Sequence, residues 1–234
     1  MTILLAFHGD KKVKALYLKR LRAHAKADEI QHGFYWENGK GCAVGCTIHS
    51  SNHSAYETEL GLPAWLARLE DGMFEALTNG QSKTFPIRFL TVIPVGADVS
   101  GVLDQFLAWL MDDPTYGTAH RTKDADIKRL ALEVADRLRT GRGVTGPEAT
   151  ALTNELWAAW AAWDAWAAWA ARDAWAARDA WAAWAAWDAW AAWAAWAARA
   201  ARDAFVEASV AELLRLLALA PVSAPRVPQE PDNG

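Results

Sequence analysis

The sequence predicts a mainly α protein: a compact helical domain, a long Ala/Trp-rich helix after it, and a disordered C-terminus. Three observations predict this. Apolar residues recur at spacings of three and four through most of residues 10–140. Period-two alternation is confined to Thr2–Phe7 and Phe89–Ile93, and the second reads equally well as buried helix. No Gly or Pro interrupts Glu148–Ala220, where alanine dominates and helix propensity is high.

Each element has its own signals. Val13, Leu16, Tyr17 and Leu21 set a first helix running to about Ile30, ahead of Gly33. Leu62-Pro63 opens a second, because Pro in the first turn forfeits no hydrogen bond. Its face is Leu66, Leu69, Met73 and Leu77, and Asn79-Gly80 is the expected stop. Ser100 is the expected N-cap of a third helix, whose Val102, Leu103, Phe106, Leu107 and Leu110 precede Asp113-Pro114. Ile127, Leu130, Val134 and Leu138 mark a fourth, ended near Gly141 and Gly143. Its basic side chains alternate with Asp124, Asp126, Glu133 and Asp136, the pattern of a solvated face. Residues 1–143 are thus expected as a globular domain. Thr145-Gly-Pro-Glu148 has the form of a capping box and begins the long helix, 144–220. The Pro-rich residues 221–234 are expected to be disordered.

Within the long helix, Trp157–Trp196 repeats every three residues and holds twelve of the 15 tryptophans. A step of three turns an α-helix by about 300°, so the indole row drifts round the rod and leaves no fixed apolar face. Neither hand of coiled coil fits that period. A membrane span is not expected, because Trp favours the bilayer interface and Arg–Asp pairs recur on both sides. Two compatible readings remain: a self-associating stalk with exposed indoles, and the expansion of a short codon repeat.

Composition narrows the function. With 24 basic and 28 acidic side chains and a net charge of −4, nothing draws the chain to nucleic acid or an anionic membrane. Residues 1–145 are near neutral (+1) and 146–234 carry −5. Two cysteines four residues apart make no disulfide framework, and the N-terminus lacks the pattern of a signal peptide, so a cytoplasmic protein is expected.

Candidate chemistry lies between Phe34 and His53. Cys42, Cys46, His49 and His53 have donor types that suit zinc, at the spacing C-x3-C-x2-H-x3-H. On one helix the four share a stripe, yet Cys42 and His53 stand about 16 Å apart along the axis, so a single metal site requires a break at Ser50-Ser51-Asn52. A subset such as Cys46 with His49, completed by a residue from elsewhere, is an equal candidate. Alternatively, Gly39-Lys40-Gly41 puts Cys42 at a helix N-terminus, where dipole and ammonium lower a thiol pKa, making Cys42 a nucleophile with His49 or His24 as base. His24 and Asp28 continue the apolar stripe of the first helix at i,i+4 spacing, so Asp28 is the expected orienter of His24. Against both stands a plainer reading: Cys-Ala-Val-Gly-Cys as a small-residue helix packed in the core, with Gly41 and Gly45 there for close approach. His53 and Glu57 share the i,i+4 spacing as solvent-exposed helix support. There is no phosphate loop, no G-x-S-x-G and no H-E-x-x-H.

Tyr17–Glu29, Tyr35–Ser50 and Tyr56–Asp71 together resemble a family of uncharacterised bacterial and phage proteins. Its members carry a G-K-G-C-A-[IV]-G-C-T-I-H core and often an alanine-rich triplet tail. The resemblance covers about residues 16–113 and implies that the Cys42–His53 region belongs to a shared domain, with the tail as a variable appendage; it implies no activity. The functional expectation is a cytosolic binding or structural module with a Cys/His site of the kind that takes zinc. The alternatives are a thiol-dependent hydrolase or transferase using Cys42, and a scaffold self-associating through the Ala/Trp helix.

Overall fold

The computed structural model describes residues 4–123, 125–142 and 199–222. Among them the protein is mainly α with one two-stranded sheet. A 3₁₀ turn (Ala6–Gly9) leads into α1 (Lys11–Lys26), the strands β1 (Trp36–Glu37) and β2 (Lys40–Gly41), α2 (Ala43–Ile48), α3 (Ala55–Leu60), α4 (Ala64–Ala76), α5 (Asn79–Ser82) and α6 (Phe85–Val92). Then follow α7 (Val102–Asp112), α8 (Thr118–Arg121), α9 (Ala125–Arg139) and α10 (Arg199–Ala218). The Trp157–Trp196 run, the rest of 143–198 and residues 223–234 lie outside the described residues. No helix among those described is long and apolar enough to cross a membrane.

Asp10 caps α1 by accepting a hydrogen bond from the Lys12 N–H at 2.7 Å. The helix ends at Lys26, short of Ile30, because Asp28 adopts a left-handed conformation (φ 57°). The Asp28 N–H then reaches Ala25 O at 3.4 Å and the Glu29 N–H reaches His24 O at 3.0 Å, the two bonds of a Schellman closure. Asn38 (φ 51°) and Gly39 (φ 81°) supply the paired positive φ values of a tight hairpin, which sets Trp36 opposite Gly41.

Pro63 is the N-cap of α4, whose Leu66, Leu69 and Met73 are buried as expected. Asn79-Gly80 does not stop that helix. It opens α5, where Thr78 and Gln81 pair as a capping box, Gln81 Oε1 accepting from the Thr78 N–H at 3.3 Å and from its hydroxyl at 2.8 Å. Phe89–Ile93 resolves towards helix: Phe85, Phe89 and Leu90 are buried at helical spacing in α6. The alternation at Thr2–Phe7, compatible with a strand, gives way from Ala6 onwards to the 3₁₀ turn, with Phe7 and His8 both left-handed. Gly101, the residue after Ser100, is the N-cap of α7.

The core gathers α1, α2, α3, α4, α6 and part of α7 around Leu21, Ile30, Tyr56, Leu66, Phe74 and Phe89. Lys14 fastens α1 to α6 by donating to the Thr91 and Ile93 carbonyls at 2.7 and 2.5 Å, where a cation complements the helix C-terminus. The division expected at 143/144 does not bound this core. Phe205, Val206, Val210, Leu213, Leu214 and Leu217 of α10 are buried in it, against α4, α6 and α7. Phe205 stacks on Trp109 at 6.5 Å, and Arg139 of α9 pairs with Asp112 of α7. Both ends of the undescribed stretch therefore attach to elements packed on α7. Pro221 and Val222, expected in the disordered tail, are bonded to the body: Pro221 O accepts from the Asp98 N–H at 2.8 Å, and Val222 bridges Ala97.

Candidate functional site

Cys42 does cap a helix N-terminus. Its Sγ accepts from the Gly45 N–H at 3.4 Å, and its thiol donates to Tyr35 O at 3.6 Å. The Cys46 thiol donates to Gly41 O at 3.3 Å and Glu29 O at 3.6 Å. Exposure is 1% for Cys42 and 0% for Cys46, and the two are unbonded to each other. Burial pushes both thiols up, Cys46 to about 12, and the charge of Asp71 raises Cys42 further. Desolvation here outweighs the backbone N–H groups, so the expected lowering of the Cys42 pKa is reversed. Gly41 and Gly45 serve close approach, since a Cβ on either would overlap the carbonyl oxygen of Tyr35.

The four expected metal ligands do not converge, because the break after α2 turns them to different partners. Cys42 and Cys46 face the core. His53 Nε2 lies 3.4 Å from Asp71 Oδ2, with the Tyr35 ring edge-on at 5.7 Å. His49 turns away towards α1. Among the described residues no group of three or more His, Cys, Asp or Glu side chains could hold a metal ion. Glu57 is not paired with His53; it accepts from the Ala64 N–H at 3.1 Å at the start of α4.

The cluster that does form joins α1, β1 and the end of α2. His49 follows α2 in a left-handed conformation (φ 54°), its N–H bonded to Gly45 O at 2.8 Å. That turn brings its Nε2 to 2.7 Å from His24 Nε2. On the other side of the His24 ring, Nδ1 donates to Glu29 Oε2 at 2.6 Å. The Schellman closure explains this partner: it places residues 24 and 29 side by side, where such motifs usually set an apolar contact. Asp28, the expected orienter, is swung outward by its positive φ and pairs with Lys83 at 2.5 Å, which holds its carboxyl below the ordinary range. Trp36 stacks on His49 (4.5 Å, 10°) and meets His24 edge-on at 5.6 Å. Arg20 donates to Thr47 O at 2.7 Å, tying α1 to the C-terminus of α2. Burial, then the charges of Arg20 and His24, lower the His49 pKa.

A second polar group is buried in the core. Tyr56 OH donates to Glu70 Oε2 at 2.7 Å, both residues 0% exposed, and burial holds the Glu70 carboxyl well above its ordinary pKa. Glu70 Oε1 and Asp71 Oδ1 are buried without a hydrogen-bond partner. Trp36, Glu29, Glu70 and Asp71 were not singled out from the sequence. For Trp36 a signal existed: Asn38-Gly39 is a strong hairpin dipeptide and would have set Trp36 across from Gly41. Glu70 and Asp71 follow an apolar helical face and carry no local mark of burial.

Fold and site together define a mainly α protein with a partly exposed imidazole–indole face beside a core that encloses both thiols. Comparison of the chain with protein-family models, curated proteins and solved structures found no match.

Proposed function

We propose that this chain is a ligand-binding module whose working surface is the His24–His49–Trp36 face. One observation carries the reading: the hydrogen-bonded chain Glu29–His24–His49, with links of 2.6 and 2.7 Å, ends on an exposed imidazole stacked by an indole. A carboxylate behind an imidazole fixes its tautomer and aims its other nitrogen, an arrangement suited to a functional histidine. Phe34 and Tyr35, each 51% exposed, extend the aromatic surface beside it. The Gly39–His49 stretch that carries the family resemblance contributes His49 to this site.

Two other readings have less behind them. A thiol enzyme at Cys42 lacks an activated nucleophile, because the sulfur is buried and protonated and both His24 and His49 are engaged elsewhere. Self-association through Trp157–Trp196 rests on the sequence alone. Two unpaired thiols fit a cytoplasmic setting.

A thermal-shift screen of the full chain tests the proposal, using chelator-treated protein and a panel of small planar and anionic compounds. A ligand at a hundred times its Kd stabilises by about 2.7 kcal/mol, or roughly 5–10 °C for a chain of this size. Shifts lost in Trp36→Ala and His49→Asn support the reading. Shifts equal in wild type and variants, or none across the panel, overturn it.

A further inference from the structure

We infer that His24 and His49 chelate one divalent transition-metal ion through their Nε2 atoms. This rests on the proposed reading of the face as a ligand site and names the ligand class. The two Nε2 atoms converge from different elements to 2.7 Å. Two nitrogens bonded to one tetrahedral ion at about 2.0–2.1 Å stand about 3.3 Å apart. To admit an ion the pair opens by roughly half an ångström and each ring turns by about 35°, so that the two lone pairs leave the N–N line and converge on the ion. No other imidazoles among the described residues meet nitrogen to nitrogen.

The surroundings are those of a metal-binding imidazole. Glu29, 2.6 Å from His24 Nδ1, supplies the outer carboxylate that orients a ligating histidine and raises its basicity. Trp36 holds the ring planes, stacked on one and edge-on to the other. A two-imidazole donor set selects zinc, nickel, copper or cobalt over calcium and magnesium. With two protein ligands, the remaining coordination positions belong to water or to a further ligand, as in sites that exchange what they hold.

The protons balance without an added reactant. Glu29 accepts the His24 Nδ1–H, and one proton lies between the two Nε2 atoms. The ion takes the place of that bridging proton, which passes to His49 Nδ1 or to water. Both rings then ligate through an Nε2 lone pair.

The test is calorimetric titration of the full-length chain, free of any polyhistidine tag, with Ni²⁺ and Zn²⁺. One equivalent is expected. His24→Gln should abolish binding, and so should His49→Asn, which keeps a residue tolerant of the left-handed backbone. Glu29→Gln should weaken binding about 10–100-fold with the melting temperature unchanged, a split that a purely structural role would not give. His120→Asn, at an exposed position of α8, should leave affinity as it is. Location is read from paramagnetic broadening by Ni²⁺, expected at the His24 and His49 rings and the Trp36 indole. Absence of binding, unchanged affinity in His49→Asn, or broadening centred on other histidines overturns the inference. If metal fails while compounds still stabilise the chelator-treated protein through Trp36 and His49, only the metal inference falls; if both fail, so does the binding reading.

Discussion

Gly45 lies within α2, where alanine would ordinarily stabilise by about 1 kcal/mol. Its φ is not left-handed, so backbone conformation gives no reason for glycine. The reason is space. An added Cβ would overlap the Tyr35 carbonyl oxygen and stand 3.4 Å from Trp36 Cβ. The obstacle is backbone, and it is pinned: the Cys42 N–H donates to Phe34 O at 2.6 Å and Tyr35 O at 3.3 Å. Overpacking of this kind costs about 1–3 kcal/mol, and a backbone neighbour that cannot rotate away puts Gly45→Ala at or beyond the upper end. After the propensity gain, about 2 kcal/mol of destabilisation remains, or a melting temperature lower by roughly 4–8 °C. Thermal circular dichroism and urea unfolding of the full chain measure it, beside Gly80→Ala in α5, where a Cβ meets nothing within 4 Å. Gly80→Ala should be neutral or slightly stabilising. If Gly45→Ala matches it, α2 is not seated on the Tyr35–Trp36 backbone, and the placement of Trp36 against His49 loses its footing.

Neither thiol should react with a disulfide reagent in the native protein, because both are buried with raised pKa values, and both should react after denaturation; rapid native labelling of Cys42 would restore the nucleophile reading. Glu70 is buried with its pKa raised, so the folded state keeps a proton that the unfolded chain releases above its ordinary value of 4.5. Its contribution is fully present below that pH and is lost as pH rises towards the folded value. Glu70→Gln should therefore flatten the fall of the urea midpoint from acid to mildly alkaline pH, and parallel profiles for the two proteins would contradict the burial. Leu213→Ala should cost about 2–5 kcal/mol as a core truncation. Ending the chain at Arg142 should abolish cooperative unfolding, and a truncated chain that melts like the full one would place α10 outside the core.

Much of the fold was legible in the sequence. Apolar spacing marked α1, α4, α7 and α9, because a helix that buries one face must repeat near every 3.6 residues. Small residues around Cys42 and Cys46 announced close packing, since only Gly fits where backbone meets backbone. The N-terminal placement of Cys42 was also readable, from the glycines before it and the helical run after it.

What the sequence could not determine was which groups meet across elements. A short polar dipeptide opens a helix as readily as it ends one, so Asn79-Gly80 was settled by the capping partners Thr78 and Gln81. Spacing put Asp28 over His24, whereas one left-handed residue ended the helix and exchanged Asp28 for Glu29. The thiol pKa values followed burial, which depends on everything packed around α2 and outweighs the local N–H groups. The last twenty-odd described residues read as the end of a rod, since alanine and leucine content reports helix without reporting what the helix covers. Only the tertiary structure decided that α10 completes the core and that two imidazoles far apart in sequence share one hydrogen bond, because both outcomes rest on contacts between distant segments that local periodicity does not encode.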